Sequence, residues 1–392
     1  MRVLVPAVFV LCLAGCCYYT PRATIRPGPL PRPGPVAEPS VRVRLTAGST
    51  ASLSSSRGLT LAAGSSLQSV GPNQSIQAGL DGGLVVVAGG PETLRTADTL
   101  AVATGGDGFV RVGGRSYRGR LLLFRSANGD LAVVNVLGLE DYLLGVVPCE
   151  IGPINARTLE AAKAQAVAAR SFTMTRLGRR KGLGYDLFDS YLRDQEYRGI
   201  EGESEFSRQA VSATRGEVLE FRGEVCVALY HGNCGGVTAN GSEPYLKSVP
   251  DTPGHRRGRK AYCSASPNSS WQVSCSRESL DAVAGRLSGK VCRVRTVTLE
   301  TDRQSGRVKY VHFETDHGSS RILGSDFRAA MDFRSTAFTV SIRGRTVSFS
   351  GRGWGHGSGM CQDGAVAMAE AGASYVEILR QYYSGVSLNK RY

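Results

Sequence analysis

Between residues 41 and 138 the chain is built of short segments whose hydropathy alternates every second residue. Val41-Arg42-Val43-Arg44-Leu45 sets the pattern. In a strand successive side chains point to opposite faces, so this alternation specifies a strand buried on one side. Leu59-Thr60-Leu61, Leu84 to Val87, Leu100 to Val102, Phe109 to Val112, Gly119 to Phe124 and Leu131 to Val136 continue it, separated by polar or Gly/Ser turns. Asn128-Gly129 between two apolar runs is a hairpin signal, because both central turn positions favour residues tolerant of positive φ. Glycine supplies 49 of 392 residues, against roughly 7% in ordinary chains. That excess fits many turns and excludes a helical bundle. Residues 41–119 therefore read as a smaller β-rich domain.

Helical periodicity enters late. Thr158-Leu159-Glu160 offers a capping hydroxyl and a first-turn carboxylate, and 161–176 is dense in helix formers before Gly178. Leu159, Ala162, Ala166, Ala169 and Thr173 share a face of small side chains that requires a close neighbour. Strand patterns return at Glu217 to Phe221, Val225 to Tyr230, Val294 to Leu299, Lys309 to Phe313 and Thr346 to Phe349. Ser374-Tyr375-Val376-Glu377 is a capping box opening a last helix. The fold class is α+β: a β-rich mixed core with one long helix and a C-terminal helix.

The N-terminus addresses the compartment. Met1-Arg2 and the apolar run Val3 to Leu13 form a signal-peptide pattern too short to span a bilayer. Leu13-Ala14-Gly15-Cys16 resembles a bacterial lipobox, which makes Cys16 a lipidation site, 1–15 a lipoprotein signal, and the envelope the expected location (periplasmic side, or outer membrane in a cell with two). Seven of sixteen prolines fall between residues 21 and 39, so 16–40 reads as an extended tether. Net charge is +14, which favours anionic partners. The basic clusters at Arg179-Arg180-Lys181 and Arg256-Arg257 lack interleaved aromatics, so nucleic acid is not expected. Of the ten cysteines Cys12 leaves with the signal and Cys16 carries lipid, and export permits disulfides among Cys17 and the seven in the body. Cys226/Cys234 and Cys263/Cys275 are close in sequence, but spacing does not fix connectivity, and no C-x-x-C is present.

Four segments carry chemistry: Leu139 to Glu150, Ala161 to Arg170, Tyr230-His231-Gly232-Asn233-Cys234-Gly235-Gly236, and Gly351 to Gln362. Glu150 follows Pro148 and precedes Gly152-Pro153, which predicts an irregular turn ahead of the long helix. Val146, Val147 and Ile151 supply apolar cover, and desolvation raises a carboxyl pKa toward that of a general acid. The fourth segment has five glycines from Gly351 to Gly359 around Trp354 and His356. It allows close backbone approach to a ligand, with an indole face for stacking a sugar or a base.

Together these segments resemble the SpoIID/LytB family over residues 120–392. The resemblance rests on the Tyr142-Leu143 to Pro148-Cys149-Glu150 run, the Lys163-Ala164-Gln165-Ala166 helix, the His231-Gly232-Asn233-Cys234-Gly235-Gly236 turn and the Gly353-Trp354-Gly355-His356-Gly357 loop. It implies a peptidoglycan lytic transglycosylase with Glu150 as the catalytic acid. Lys163, Gln165, Arg170, Gln195, Tyr197, Tyr230, His231, Trp354, His356 and Gln362 are the implied substrate-binding residues of a cleft between the long helix and the glycine loop. Some members carry zinc on His and Cys in the segment matching 189–197. Here Asp189-Ser190-Tyr191-Leu192-Arg193-Asp194-Gln195-Glu196-Tyr197 has neither, so no metal or other cofactor is expected. Implied partners are glycan strands, a cell-wall amidase and a membrane reached through the lipid. The alternative function is a non-catalytic glycan binder that enhances an N-acetylmuramoyl-L-alanine amidase.

Overall fold

A computed structural model describes residues 37–45 and 48–392. The signal segment, Cys16 and residues 16–36 of the tether lie outside the described residues. Ala37–Tyr392 forms one compact unit.

The alternating segments become two sheets on one core. The first has seven strands in the order Leu187–Phe188, Ser40–Leu45, Leu131–Gly138, Arg120–Arg125, Leu100–Ala103, Leu59–Ala63 and Ser66–Val70. The second has six, drawn from Ala51 to Tyr117. Val41, Val43, Leu53, Leu61, Ile76, Val85, Leu100 and Leu121 meet in the shared core. The hairpin at Asn128-Gly129 forms as expected, pairing Arg125 with Leu131 and Leu121 with Asn135. The boundary drawn at 119/120 runs through the first sheet, since Leu121 pairs with Val102. The last tether residues also belong to the body: Glu38 Oε1 accepts from the Glu140 backbone N–H at 2.9 Å.

The helical layer holds α1 (Leu139–Ile151), α2 (Leu159–Met174), α3 (Glu205–Ala213), α4 (Arg277–Ser288), α5 (Gly324–Ala330), α6 (Gln362–Glu370) and α7 (Tyr375–Tyr382). Helix α1 corrects the expectation of an irregular turn: Glu150 sits in its last helical turn. Gly145, two valines and Pro148 are poor helix formers, but Leu139, Tyr142, Leu143, Val146 and Val147 are all buried. Tertiary burial overrides the propensity. Gly145 is required by close approach, since a Cβ there would lie 2.6 Å from the Gly199 carbonyl. Helix α2 is buried on more than the one face expected. Ala162, Ala166 and Ala169 enter the sheet core, while Ala161, Ala164, Val167 and Ala168 enter a second core with Met360, Ala365, Ile378 and Leu379. Small side chains on both sides let α1, α6 and α7 all pack against it.

A third core lies under two three-stranded sheets between Trp271 and Gly351, around Phe313, Phe327, Phe333, Phe338 and Phe349. Among the described residues no helix is long and apolar enough to cross a membrane.

Candidate active site

The third and fourth motifs are zipped together by backbone. Tyr230 and His231 pair in parallel with Met360 and Cys361. Asn233 N–H donates to the Trp354 carbonyl at 2.9 Å, and Trp354 N–H returns to the Asn233 carbonyl at 2.8 Å. The glycines make this possible. At Gly353 (φ +77) a Cβ would lie 2.5 Å from the Asn233 carbonyl oxygen, and at Gly359 (φ +75) it would fall on the Leu229 carbonyl. Helix α1 brings Glu150 to the other wall. The result is a groove of about 760 Å³ lined by Glu150, Tyr230, His231, Trp354, His356 and Gln362.

Glu150 is held at both oxygens. Its Oε1 accepts from the Glu196 backbone N–H at 2.7 Å, and Oε2 accepts from Gln362 Nε2 at 3.5 Å. The Tyr230 hydroxyl also bonds to it. These donors favour the carboxylate, but burial outweighs them and pushes the pKa from 4.5 up to about 7. The group therefore holds a proton near neutrality.

A buried relay fixes Tyr230. Gln195 Nε2 donates to the Tyr230 hydroxyl oxygen at 2.8 Å, while Gln195 Oε1 accepts from Tyr142 Oη and Thr173 Oγ1 at 3.2 and 2.8 Å. With its oxygen accepting from Gln195, the Tyr230 hydroxyl has its own proton for Glu150. Gln195 is fully buried and so positions Tyr230 instead of meeting substrate. Gln165 plays the same part for Gln362, whose Nε2 reaches its Oε1 at 3.4 Å.

Three further expected contacts lie away from the groove. Arg170 is fully buried and forks onto Glu140 at 2.8 and 2.7 Å, with its third nitrogen on the Glu217 carbonyl. A buried guanidinium needs such a partner, so Arg170 is a scaffold residue. Tyr197 is core, its hydroxyl on Asn135 Oδ1 at 2.8 Å. Lys163 pairs with Glu160 at 2.6 Å on α2.

The two histidines are neutral. His356 Nε2–H donates to the Tyr230 carbonyl at 2.9 Å, and its Nδ1 accepts from the Ser358 N–H at 3.1 Å. Although the residue is exposed at the groove surface, desolvation by the surrounding loop lowers its pKa to about 4. His231 Nδ1–H donates to the Ser358 carbonyl at 3.2 Å, leaving a buried Nε2 acceptor. Burial again drives its pKa well below 6.5. The imidazoles clasp the glycine loop; neither is poised as a base.

Sequence reasoning missed several groove residues. Tyr191 and Leu192 are exposed apolar side chains on its rim, and Arg198 and Arg328 are its cations. The apolar Tyr191-Leu192 pair inside an otherwise polar segment was a usable signal; Arg328, on α5, had none. Two other carboxylates line the groove, and both are engaged: Asp194 with Arg180 at 2.9 Å, and Glu196 with Arg198 at 3.1 Å. The 189–197 segment does not fit a zinc ion. Its only metal-type donors are these carboxylates and Asp189, and they gather no cluster among the described residues.

A family model described as stage II sporulation protein matches residues 127–221, from the sheet through α1, α2 and α3. An uncharacterised protein of Brachyspira hyodysenteriae is 33% identical over 286 residues, which is 72% of this chain and 74% of that one. The chain belongs to the SpoIID/LytB family. Stage II sporulation protein D of Bacillus amyloliquefaciens is 28% identical over 289 residues, 68% of this chain and 78% of its own. The amidase enhancer of Bacillus subtilis is 28% identical over 297 residues, covering 63% of this chain but only 40% of that larger protein. The family model covers the groove wall that carries Glu150 and the 191–198 segment, and stops before Tyr230.

Proposed function

We propose that this protein is a peptidoglycan lytic transglycosylase acting outside the cytoplasm, with Glu150 as its single acid and base. The observation that carries the reading is a groove holding one carboxyl whose pKa is raised to about 7, while its two neighbours are tied in ion pairs. Hydrolysing glycosidases use two carboxylates, one as acid and one as base or nucleophile. A single group suffices if the attacking hydroxyl belongs to the sugar itself.

In that scheme Glu150 gives its proton to the glycosidic oxygen as the bond from C1 of N-acetylmuramic acid breaks. Positive charge at C1 is met by the sugar's own 2-acetamido group. The Glu150 carboxylate, stabilised by the Glu196 N–H, Tyr230 and Gln362, takes the proton from the 6-hydroxyl as that oxygen closes on C1. The products are a 1,6-anhydro-muramoyl end and a free glucosamine 4-hydroxyl. Because the nucleophile is intramolecular, positioning supplies much of the rate. Trp354, 46% exposed, offers a stacking face. Arg328 suits the lactyl carboxylate of muramic acid.

Cleavage of peptide-free glycan strands in heavy-oxygen water tests this scheme. Lytic ends acquire no solvent oxygen; incorporation at C1 would mean hydrolysis. The enhancer reading draws on the amidase enhancer relative. It requires glycan binding in the same groove, no bond cleavage, and a faster partner amidase.

A further inference from the structure

Behind the groove, four side chains from separate parts of the chain converge. Cys234, Asp251, Cys263 and Cys361 are all buried, and one donor atom from each lies within 4.8 Å of the others. We propose that they form a structural zinc site of three thiolates and one carboxylate, distinct from the groove.

The spacing fits the metal. Tetrahedral zinc with bonds of about 2.3 Å to sulfur places neighbouring sulfurs about 3.8 Å apart. Cys234 and Cys263 have their sulfurs 3.5 Å apart. The backbone is arranged to receive sulfur anions: the N–H groups of Gly236, Cys234 and Gly364 point at sulfur, the first at Cys234 at 3.3 Å and the other two at Cys361 at 3.2 and 3.4 Å. Asp251 is oriented by a second layer, with Oδ1 accepting from Tyr382 Oη at 2.6 Å and Oδ2 from the Cys263 N–H at 3.0 Å. Fixing a ligand through its remaining lone pairs is how metal-binding carboxylates are held. Arg307 donates to the Cys234 carbonyl at 3.3 Å, bringing a cation beside an anionic cluster. A disulfide between Cys234 and Cys263 would leave the Cys361 sulfur and the Asp251 carboxyl buried beside it without a shared partner. A metal uses all four.

The site would act through position. Cys361 caps α6, whose first residue is Gln362, and Cys234 ends the turn that carries His231. One ion would clamp both groove motifs to the Asp251 and Cys263 loops. Binding releases the thiol protons to solvent, so affinity rises with pH.

The test uses the whole chain from zinc-supplemented cells, purified without chelator. Elemental analysis should find one zinc per chain. Cobalt added after chelation should give a thiolate-to-metal charge-transfer band and tetrahedral visible bands. Cys263→Ser should abolish both, while Cys226→Ser and Cys275→Ser, away from the cluster, keep them. Should Cys263→Ser not fold, mass spectrometry of the unmodified protein decides. A zinc adduct whose removal makes Cys234, Cys263 and Cys361 alkylatable supports the site. A metal-free chain with a Cys234–Cys263 disulfide overturns it, as does zinc retained in full by Cys263→Ser.

Discussion

The raised pKa of Glu150 is a statement about stability that needs no substrate to test. The group ionises at 4.5 when solvated and at about 7 in the folded protein. Below the first value both states are protonated, and Glu150 contributes no pH dependence. Between the two values the native state keeps a proton that the unfolded chain has lost, so stability falls by about 1.4 kcal/mol per pH unit. Above about pH 7 both states are ionised and the loss is complete. The difference of about 2.5 units corresponds to a total of about 3 kcal/mol. Glu150→Gln keeps the acceptor for the Glu196 N–H but removes the titration. Urea denaturation of both proteins across this range should show the variant gaining relative to the wild type as pH rises. The gain should reach about 3 kcal/mol on the alkaline plateau and vanish on the acid one. A stability difference that stays flat from acid to alkaline pH would refute the claim that burial, more than hydrogen bonding, governs this carboxyl.

Other outcomes follow from the same contacts. Arg170→Met strands the buried Glu140 carboxylate and should cost about 3–5 kcal/mol in urea denaturation, with most of it recovered by adding Glu140→Gln. Trp354→Ala should leave stability unchanged, and weaken glycan binding by about 1 kcal/mol, roughly fivefold in Kd by calorimetry. Gln362→Leu deletes a long donor to the Glu150 carboxylate. The alkaline limb of the cleavage profile, set by loss of the Glu150 proton, should then move upward by roughly half a unit.

The strands were legible because alternation survives burial on one face: Val41 to Leu45 and Leu131 to Val136 pair with each other as strands of one sheet. The short strands Ala51–Ser54 and Ser66–Val70 are serine-rich and carry too weak an alternation to be seen. Helix α1 was hidden by Pro148 and Gly145, whose cost is outweighed by burial that only the tertiary fold creates. In the site, Glu150, Tyr230, His231, Trp354, His356 and Gln362 came together because each lies on a motif built around the groove. Arg170, Gln195 and Tyr197 are of equally suitable chemistry, and nothing local separates a polar side chain facing sugar from one facing a buried partner. Glu140 is 30 residues from Arg170, and Tyr142 is 53 from Gln195. The sulfur cluster was illegible for the same reason: Cys234 and Cys361 are 127 residues apart, and no local spacing announces them.

The role of Glu150 is tested most directly by the product the protein makes. Purified wild type and Glu150→Gln, incubated with peptide-free glycan strands at neutral pH, should differ completely by mass spectrometry: anhydro-muramoyl ends accumulate with the first and are absent with the second. Equal yields of anhydro ends from both proteins would contradict it.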